Sequence, residues 1–347
     1  VQSPLDIREE VPLAPFTTFG IGGPARYFTT ASNEADIEQA VAFAGGHDLP
    51  LFVLGGGSNL LVRDTGFSGL VLHLAIQGIG RPAEDVLDVG AGESWDGLVD
   101  HAIALNLAGI ECLAGIPGSV GGTPVQNVGA YGQEVSETID SVRVFDRQTT
   151  QWRDLTNAEC HFRYRESLLN IDQPGRYIVA RVRFRLRPKG APTLRYAELG
   201  RRFADAPAPT LAEVAAVVRE IRRTKGMVVI PGDPDTRSAG SFFKNPIVPA
   251  AALKQVAAAT ATDPANIPHW PMATGEIKLP AAWLLEKAGF TKGYSEGPAA
   301  ISTRHTLSLT NRNNASCADV LRLQDHIIAT VQARFNITLE REPVLLG

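Results

Sequence analysis

Cysteine is scarce: Cys112, Cys160 and Cys317 are the only three in 347 residues. They are odd in number, far apart and without C-x-x-C spacing, which argues against a disulfide framework and a zinc site and suits a reducing cytosol. No uninterrupted apolar run is long enough to span a bilayer, and the opening VQSPLDIREE lacks the basic, apolar pattern of a secretory signal. The expectation is a cytoplasmic protein with no membrane association and no metal. Strong charge of one sign is also missing, since the formal net charge is −4. That disfavours a nucleic-acid or polyanion binder, so any anion site has to be local. Neither common nucleotide fingerprint occurs. No glycine loop is followed by Lys and Ser/Thr, and no G-x-G-x-x-G opens a helix. Gly90-Ala91-Gly92 comes nearest, but Trp95 stands where the third glycine is needed, and the stretch reads as a structural turn. Internal repeats and low-complexity tracts are absent as well.

What the chain does have is glycine in two clusters. Ala114 to Gly132 reads AGIPGSVGGTPVQNVGAYG, nineteen residues with six glycines, two prolines and no charge. Glycine lets main chain approach a bound group closely and take positive φ, while proline fixes the turns between approaches. Exposed N–H groups in such a stretch can hold a phosphate or a flat heterocycle without a cationic side chain. The second cluster, Gly55-Gly56-Gly57-Ser58-Asn59-Leu60-Leu61, follows the apolar run Leu51–Leu54 and precedes another, Gly69–Leu74. A strand feeding a glycine turn presents successive N–H donors to a pyrophosphate.

The surrounding pattern is mixed α and β. With 44% hydrophobic content the chain can bury a large core and divides into two or three domains. Ile37, Ala40, Val41 and Ala44 mark a helical face after the cap Asn33, and Trp95, Leu98, Val99 and Ala102 mark another. Val182, Phe184 and Leu186 alternate with Arg181, Arg183 and Arg185, as in a half-buried strand whose arginines face solvent. Thr210 and Glu213 form a capping-box pattern before a helix that runs to Arg222-Arg223-Thr224-Lys225. The stretch beyond reads as a linker. A third region from near Met227 holds a helix around Trp283-Leu284-Leu285 and a long one from about Ser316, with Val320, Leu323, Ile327, Ile328, Val331 and Phe335 on one face.

With Phe162-Arg163-Tyr164-Arg165-Glu166-Ser167 and Gly240-Ser241-Phe242-Phe243-Lys244-Asn245-Pro246, the glycine clusters stand in an order and spacing that resemble the UDP-N-acetylenolpyruvoylglucosamine reductase family, flavoenzymes completing the muramic acid precursor of peptidoglycan. The resemblance runs from Phe16-Thr17-Thr18-Phe19-Gly20 to Leu339-Glu340-Arg341-Glu342, and Leu194–Leu199 is similar to the tyrosine loop of the longer, type I members. It implies an α+β fold class: an FAD-binding fold of the vanillyl-alcohol-oxidase/PCMH type with an additional C-terminal α+β substrate domain. The implied FAD-binding lobes are 1–73 plus 336–347 and 74–226, and the implied substrate domain is 227–335.

Noncovalent FAD, NADPH as co-substrate and a UDP-sugar substrate are implied by the same resemblance, with a monomer as the expected state. The residues it assigns to FAD are Gly55, Gly56, Gly57, Ser58, Asn59 and Leu60, then Gly115, Pro117, Gly118, Ser119, Gly121 and Gly122, then Asn127, Gly129, Ala130, Tyr131 and Arg222. Arg165 corresponds to the residue that steadies the substrate carboxylate, which its planar fork matches bidentately. Ser241 corresponds to the proton donor to carbon, with two phenylalanines behind it to exclude water, and Glu342 to the C-terminal catalytic glutamate, Glu340 being the competing assignment. Substrate contacts fall on Tyr164, Tyr196, Lys225, Asn245, Trp270, Lys292 and His305. Two departures stand out. Pro343 and Val344 come after Glu342 where the family has valine then arginine, so the role of that arginine is either lost or taken over, with Arg341 as the candidate, and the segment from Lys225 to Ser241 is longer than expected.

Two other readings compete. A flavin-dependent oxidase of the same superfamily is kept open by His73 and Cys112 near the glycine loops, and a nucleotide-binding scaffold without activity is opposed by Arg165, Ser241 and Glu342 together.

Overall fold

A computed structural model describes residues 5–204 and 208–347, so the first four residues of the opening stretch lie outside the described residues. The chain gathers into two units. The first holds the chain up to Val11, Ala25–Gly57 and Phe67–Val228; the second holds Pro12–Pro24, Ser58–Gly66 and Val229–Gly347.

The first unit is built on two sheets. In one, the strands run in the order Arg8–Pro12, Pro24–Ala31, Phe67–Leu74, Leu51–Leu54, the last three parallel to one another. Helix α1, Glu34–Gly46, makes the crossover; Asn33 caps it by accepting the Asp36 N–H, and Ile37, Ala40 and Ala44 are buried. The other sheet is antiparallel, in the order Gln151–Thr156, Ile139–Asp146, Tyr177–Arg185, Val86–Gly90, Ile79–Ala83. Its strand Tyr177–Arg185 alternates as its residues dictate: Val182 and Phe184 are buried, while Arg181 and Arg183 pair with Asp88, and Arg185 with Asp85 and Asp140. Helix α2, Trp95–Ala104, buries Trp95, Leu98, Val99 and Ala102. The short α3, Ala197–Arg202, precedes α4, Leu211–Thr224, whose Thr210–Glu213 capping box is complete.

The second unit has its own core. Helices α5 (Ala252–Thr260), α6 (Ala281–Ala288) and α7 (Cys317–Phe335) pack with two three-stranded antiparallel sheets. Val320, Leu323, Ile327, Val331 and Phe335 of α7 join Phe19, Phe242 and Phe243 in one apolar cluster. Strand Val344–Leu346 pairs parallel with Leu60–Val62, and the Asp64 carboxylate accepts the first N–H groups of α7, from Cys317 at 2.8 Å and Ala318 at 3.0 Å.

The expected linker beyond Lys225 is corrected here. From Val229 it is built into the second unit, where Asp235 and Thr236 are buried. Asp235 accepts Arg312 Nη2 at 2.5 Å and the Thr303 N–H at 3.1 Å, and Arg304 pairs with Asp233 at 2.7 Å. The partners that turn this polar stretch inward lie far downstream, out of reach of any local pattern. All three cysteines are buried, and burial pushes the thiols of Cys112 and Cys160 up to about 12 and that of Cys317 to about 11. Among the described residues no helix is long and apolar enough to cross a membrane, and no cluster of His, Cys, Asp and Glu could hold a metal ion.

Candidate flavin and substrate site

Within the first unit the two glycine stretches cross backbone to backbone. A Cβ on Gly56 would stand 2.6 Å from Gly118 Cα and 2.9 Å from Ser119 N, and one on Gly55 2.7 Å from Ser119 Oγ. The Gly56 N–H donates to Ser119 Oγ at 3.2 Å. Only glycine leaves room for such an approach. Beside the crossing opens a cleft of about 280 Å³, walled by Gly55, Gly56, Gly118 and Ser119 and completed by His73, Gln77, Gly92 and Ser94. A cleft of main-chain amides and hydroxyls, without a cationic lining, fits a nucleotide's phosphates and flat rings. Of the last four, His73 is the histidine that keeps the oxidase reading open and Gly92 belongs to the Gly90-Ala91-Gly92 turn, whereas Gln77 and Ser94 carry no sequence signal. Gly90 and Gly92 do pack as a tight turn, their Cβ positions within 2.5 Å of the Ile76 and Ala75 backbone, and Gly92 in addition faces the cleft.

The longer glycine loop lies along the start of α2. The Trp95 N–H donates to Gly118 O at 3.1 Å, the Trp95 indole N–H to Leu113 O at 3.0 Å, and the Gly115 N–H to Asp96 Oδ1 at 2.6 Å. Pro117 lies in the same stretch; Gly121 abuts Ala91, whereas a Cβ on Gly122 would meet nothing within 4 Å. Asn127 is buried and braces the loop from inside, donating to Glu134 Oε2 and Arg163 O and accepting the Ser136 N–H. Gly129-Ala130 pairs with Gln133-Glu134 across a two-residue turn, Tyr131-Gly132, with φ of 48° and 83°. Positive φ at both central residues is the type I′ geometry that suits a hairpin's twist.

Four of the expected residues gather around that turn. Arg222, buried at the end of α4, donates from Nε to Gly115 O at 3.0 Å and from Nη2 to Met227 O at 2.8 Å, and hydrogen-bonds the Tyr131 hydroxyl. Burial works against the Arg222 charge and pushes the Tyr131 hydroxyl up to about 12. The Tyr131 ring meets Tyr196 edge-on at 5.2 Å, and Lys225 Nζ lies 5.7 Å from its centre while pairing with Glu198 at 3.3 Å.

Arg165 sits at the tip of a turn closed by Arg163 N–H to Glu166 O and Glu166 N–H to Arg163 O, at 2.9 and 3.2 Å. Its φ is 59°, a left-handed conformation that costs a non-glycine residue about 1–2 kcal/mol. The guanidinium stacks over Tyr164 and donates from Nη2 to Gly129 O at 2.7 Å. Arg165 is thus tethered to the longer glycine loop. Just beyond it, buried Ser167 caps one turn of π-helix, Leu168–Asp172, a form frequent at functional sites.

In the second unit Ser241 and Glu342 come onto neighbouring antiparallel segments. Phe243 bridges to Arg341, the Glu342 N–H donates to Phe242 O at 2.9 Å, and the Lys244 N–H to Glu340 O at 2.9 Å. Phe242 and Phe243 are buried behind Ser241. Glu340 is exposed and pairs with Lys244, whereas Glu342 is half-buried, its backbone bracketed by Asn59, which donates to Glu342 O at 3.4 Å and accepts the Val344 N–H at 3.0 Å. Ser58 and Leu60 flank Asn59, Leu60 opening the strand paired with Val344–Leu346. Arg341 is committed elsewhere, to Pro343 O and Gln324 Oε1, so it braces the tail. Asn245 accepts the first N–H of α6 at 2.9 Å. Trp270, exposed, lies beside Lys278, Lys292 comes just after α6 on the surface, and His305 Nδ1 accepts the Leu307 N–H. These last three fall on separate elements.

Residues 25–154 match the family described as FAD binding domain, and residues 233–346 match that described as UDP-N-acetylenolpyruvoylglucosamine reductase, C-terminal domain. The class is therefore an α+β FAD-binding protein with a further C-terminal domain, the fold class expected. A UDP-N-acetylenolpyruvoylglucosamine reductase of Streptomyces coelicolor is 47% identical, covering 99% of this chain and 91% of its own, and one of Thermobifida fusca is 45% identical, covering 97% of each. The crystal structure of the Thermus caldophilus reductase superimposes with a TM-score of 0.68 at 28% identity, covering 99% of this chain and 100% of that one. The chain belongs to the UDP-N-acetylenolpyruvoylglucosamine reductase family, and its class is that of an FAD-containing oxidoreductase.

Proposed function

We propose that this chain reduces the enolpyruvyl group of UDP-N-acetylglucosamine enolpyruvate to give UDP-N-acetylmuramate, with NADPH as electron donor and noncovalently held FAD, in peptidoglycan precursor synthesis. The observation that carries the reading is the antiparallel pairing that sets Ser241 beside the Glu342 segment with two buried phenylalanines behind it. Held by the Gly55–Leu60 and Gly115–Gly132 stretches, a bound flavin would supply hydride-transfer chemistry between a nicotinamide and the substrate's terminal alkene carbon. The protein's own residues manage the resulting charge and the proton. Negative charge moves from the alkene into the adjoining carboxylate, and Arg165 meets that carboxylate with a fork already fixed by Tyr164 and Gly129. Ser241 gives its hydroxyl proton to the remaining carbon, water being kept away by Phe242 and Phe243. Glu342 polarises the enolate. Lys225, with Tyr196 beside Tyr131, holds the diphosphate or uridine end, Asn245 holds a polar group near Ser241, and Trp270, Lys292 and His305 serve the nucleotide-sugar side. A cytoplasmic monomer completes the proposal.

Purified protein should carry a flavin spectrum that NADPH bleaches without oxygen and that the enolpyruvyl sugar nucleotide restores, with UDP-N-acetylmuramate formed in proportion. Bleaching that only oxygen reverses would refute the assignment. One observation favours the oxidase reading, namely that His73 lines the cleft. Cys112 does not: it is buried and donates to Thr193 O at 3.1 Å. Release of the flavin by heat or acid decides against a covalent bond.

A further inference from the structure

Both peptide groups of Gly115 are gripped by side chains of opposite charge. Its N–H donates to Asp96 Oδ1 at 2.6 Å, and its carbonyl accepts Arg222 Nε at 3.0 Å. Asp96 is itself held in place. Arg219 of α4 donates to it from Nε at 3.2 Å and from Nη2 at 2.7 Å, and also reaches Asp100 at 2.6 Å. A Cβ on Gly115 would stand 3.2 Å from Arg219 Cγ, so the loop passes directly under that side chain. Three residues on, Gly118 and Ser119 form the cleft wall, and the residue before Asp96, Trp95, holds Gly118 O through its N–H.

We propose that Asp96 and Arg219 are positioning residues for the flavin. They fix the Gly115 peptide, and through it the Gly118-Ser119 wall, without lining the cleft themselves. The inference rests on the flavin reading of that cleft. The Asp96 and Arg219 side chains are 38% and 24% exposed, and a pair so placed adds little to folding stability. An N–H held by a carboxylate, in contrast, sets the direction of a backbone that glycine leaves otherwise free. Loss of the brace should therefore register in cofactor affinity before it registers in folding.

The test is a titration of FAD into acid-stripped apoprotein, read by flavin fluorescence, together with melting temperatures of apo and loaded forms. Asp96→Ala should weaken FAD about 10- to 100-fold, the range for one charge-assisted hydrogen bond, and shrink the gain in melting temperature on loading. Asp96→Asn keeps an oxygen for the Gly115 N–H and should recover most of the affinity, while Arg219→Lys, which loses the fork, should fall between. Apo melting temperatures should stay together. Unchanged FAD affinity in Asp96→Ala, or an apo form destabilised as much as the loaded one, overturns the brace. Should Asp96→Ala fail to fold, Arg219→Lys decides alone by the same two readouts. Failure of the unsubstituted apoprotein to bind FAD would overturn the flavin reading itself, which separates the two claims.

Discussion

Gly56→Ala is the sharpest perturbation of the cleft, because a single methyl group tests whether the two loops have to touch. Gly56 does not need glycine for its φ, so the cost is purely one of space. The added carbon would overlap Gly118 Cα at 2.6 Å, Gly118 C at 2.8 Å and Ser119 N at 2.9 Å, all main-chain atoms that no rotamer change can move aside. Ordinary contact begins near 3.5 Å, so the strands of loop must part by roughly 0.9 Å. Overpacking of this kind costs about 1–3 kcal/mol, and breaking the Gly56 N–H to Ser119 Oγ bond adds about 1 kcal/mol. If the penalty falls on the flavin-holding arrangement, FAD affinity drops between about 30-fold and several hundredfold. Flavin absorbance per mole of purified protein, then titration of stripped protein with FAD, measures the effect; Gly56→Val should be worse. Gly45→Ala, in α1 with nothing within 4 Å, is the control and should bind FAD normally. Full flavin occupancy with unchanged affinity in Gly56→Ala would show that the crossing does not shape the site.

Arg165→Lys keeps the charge but loses the fork, so kcat for the sugar nucleotide should fall more than KM rises; a rise in KM alone would make the residue a uniform binder. Ser241→Ala should leave flavin bleaching by NADPH nearly normal in stopped flow while reoxidation by the enolpyruvyl substrate slows about 10²- to 10⁴-fold; equal slowing of both halves would mean that the serine only shapes the pocket. Asp146 is buried against Arg176 at 2.7 Å, and that hydrogen bond holds its carboxyl down at about 2. A depressed acid stabilises above its unfolded value and loses that contribution as pH falls through the folded one, so Asp146→Asn should lower the melting temperature at pH 7 by an amount that shrinks between about pH 4 and pH 2. A difference independent of pH would assign the effect to packing.

Local rules made much of this molecule legible. The caps Asn33, Thr210 and Ser316, the buried face of α7 and the strand alternation around Phe184 all rest on neighbours within a turn or two. The glycine clusters were also visible, because close approach restricts the residue type at each point of contact. What approached them was not. Gln77 and Ser94 reach the cleft from the stretch after strand Phe67–Leu74 and from the turn before α2, and nothing local marks them. Burial of Asp235 depends on Arg312 and Thr303, and the left-handed φ of Arg165 on a tight turn that no glycine announces. The hydrogen bonds of Arg222 to Gly115, Met227 and Tyr131 become visible only once α4 lies on the loop.

The pairing of Leu60–Val62 with Val344–Leu346 bears on how the polypeptide is made. Leu60, Leu61 and Val62 are almost wholly buried, and Asp64 receives the first turn of α7. Both partners leave the ribosome hundreds of residues later. An apolar edge and an acidic cap therefore stand ready through most of synthesis, even after every strand and helix of the first unit has emerged. Closing so long a loop is slow, and an unpaired apolar edge invites contact with other nascent chains. The segment around Glu342 therefore comes into place only with this last pairing.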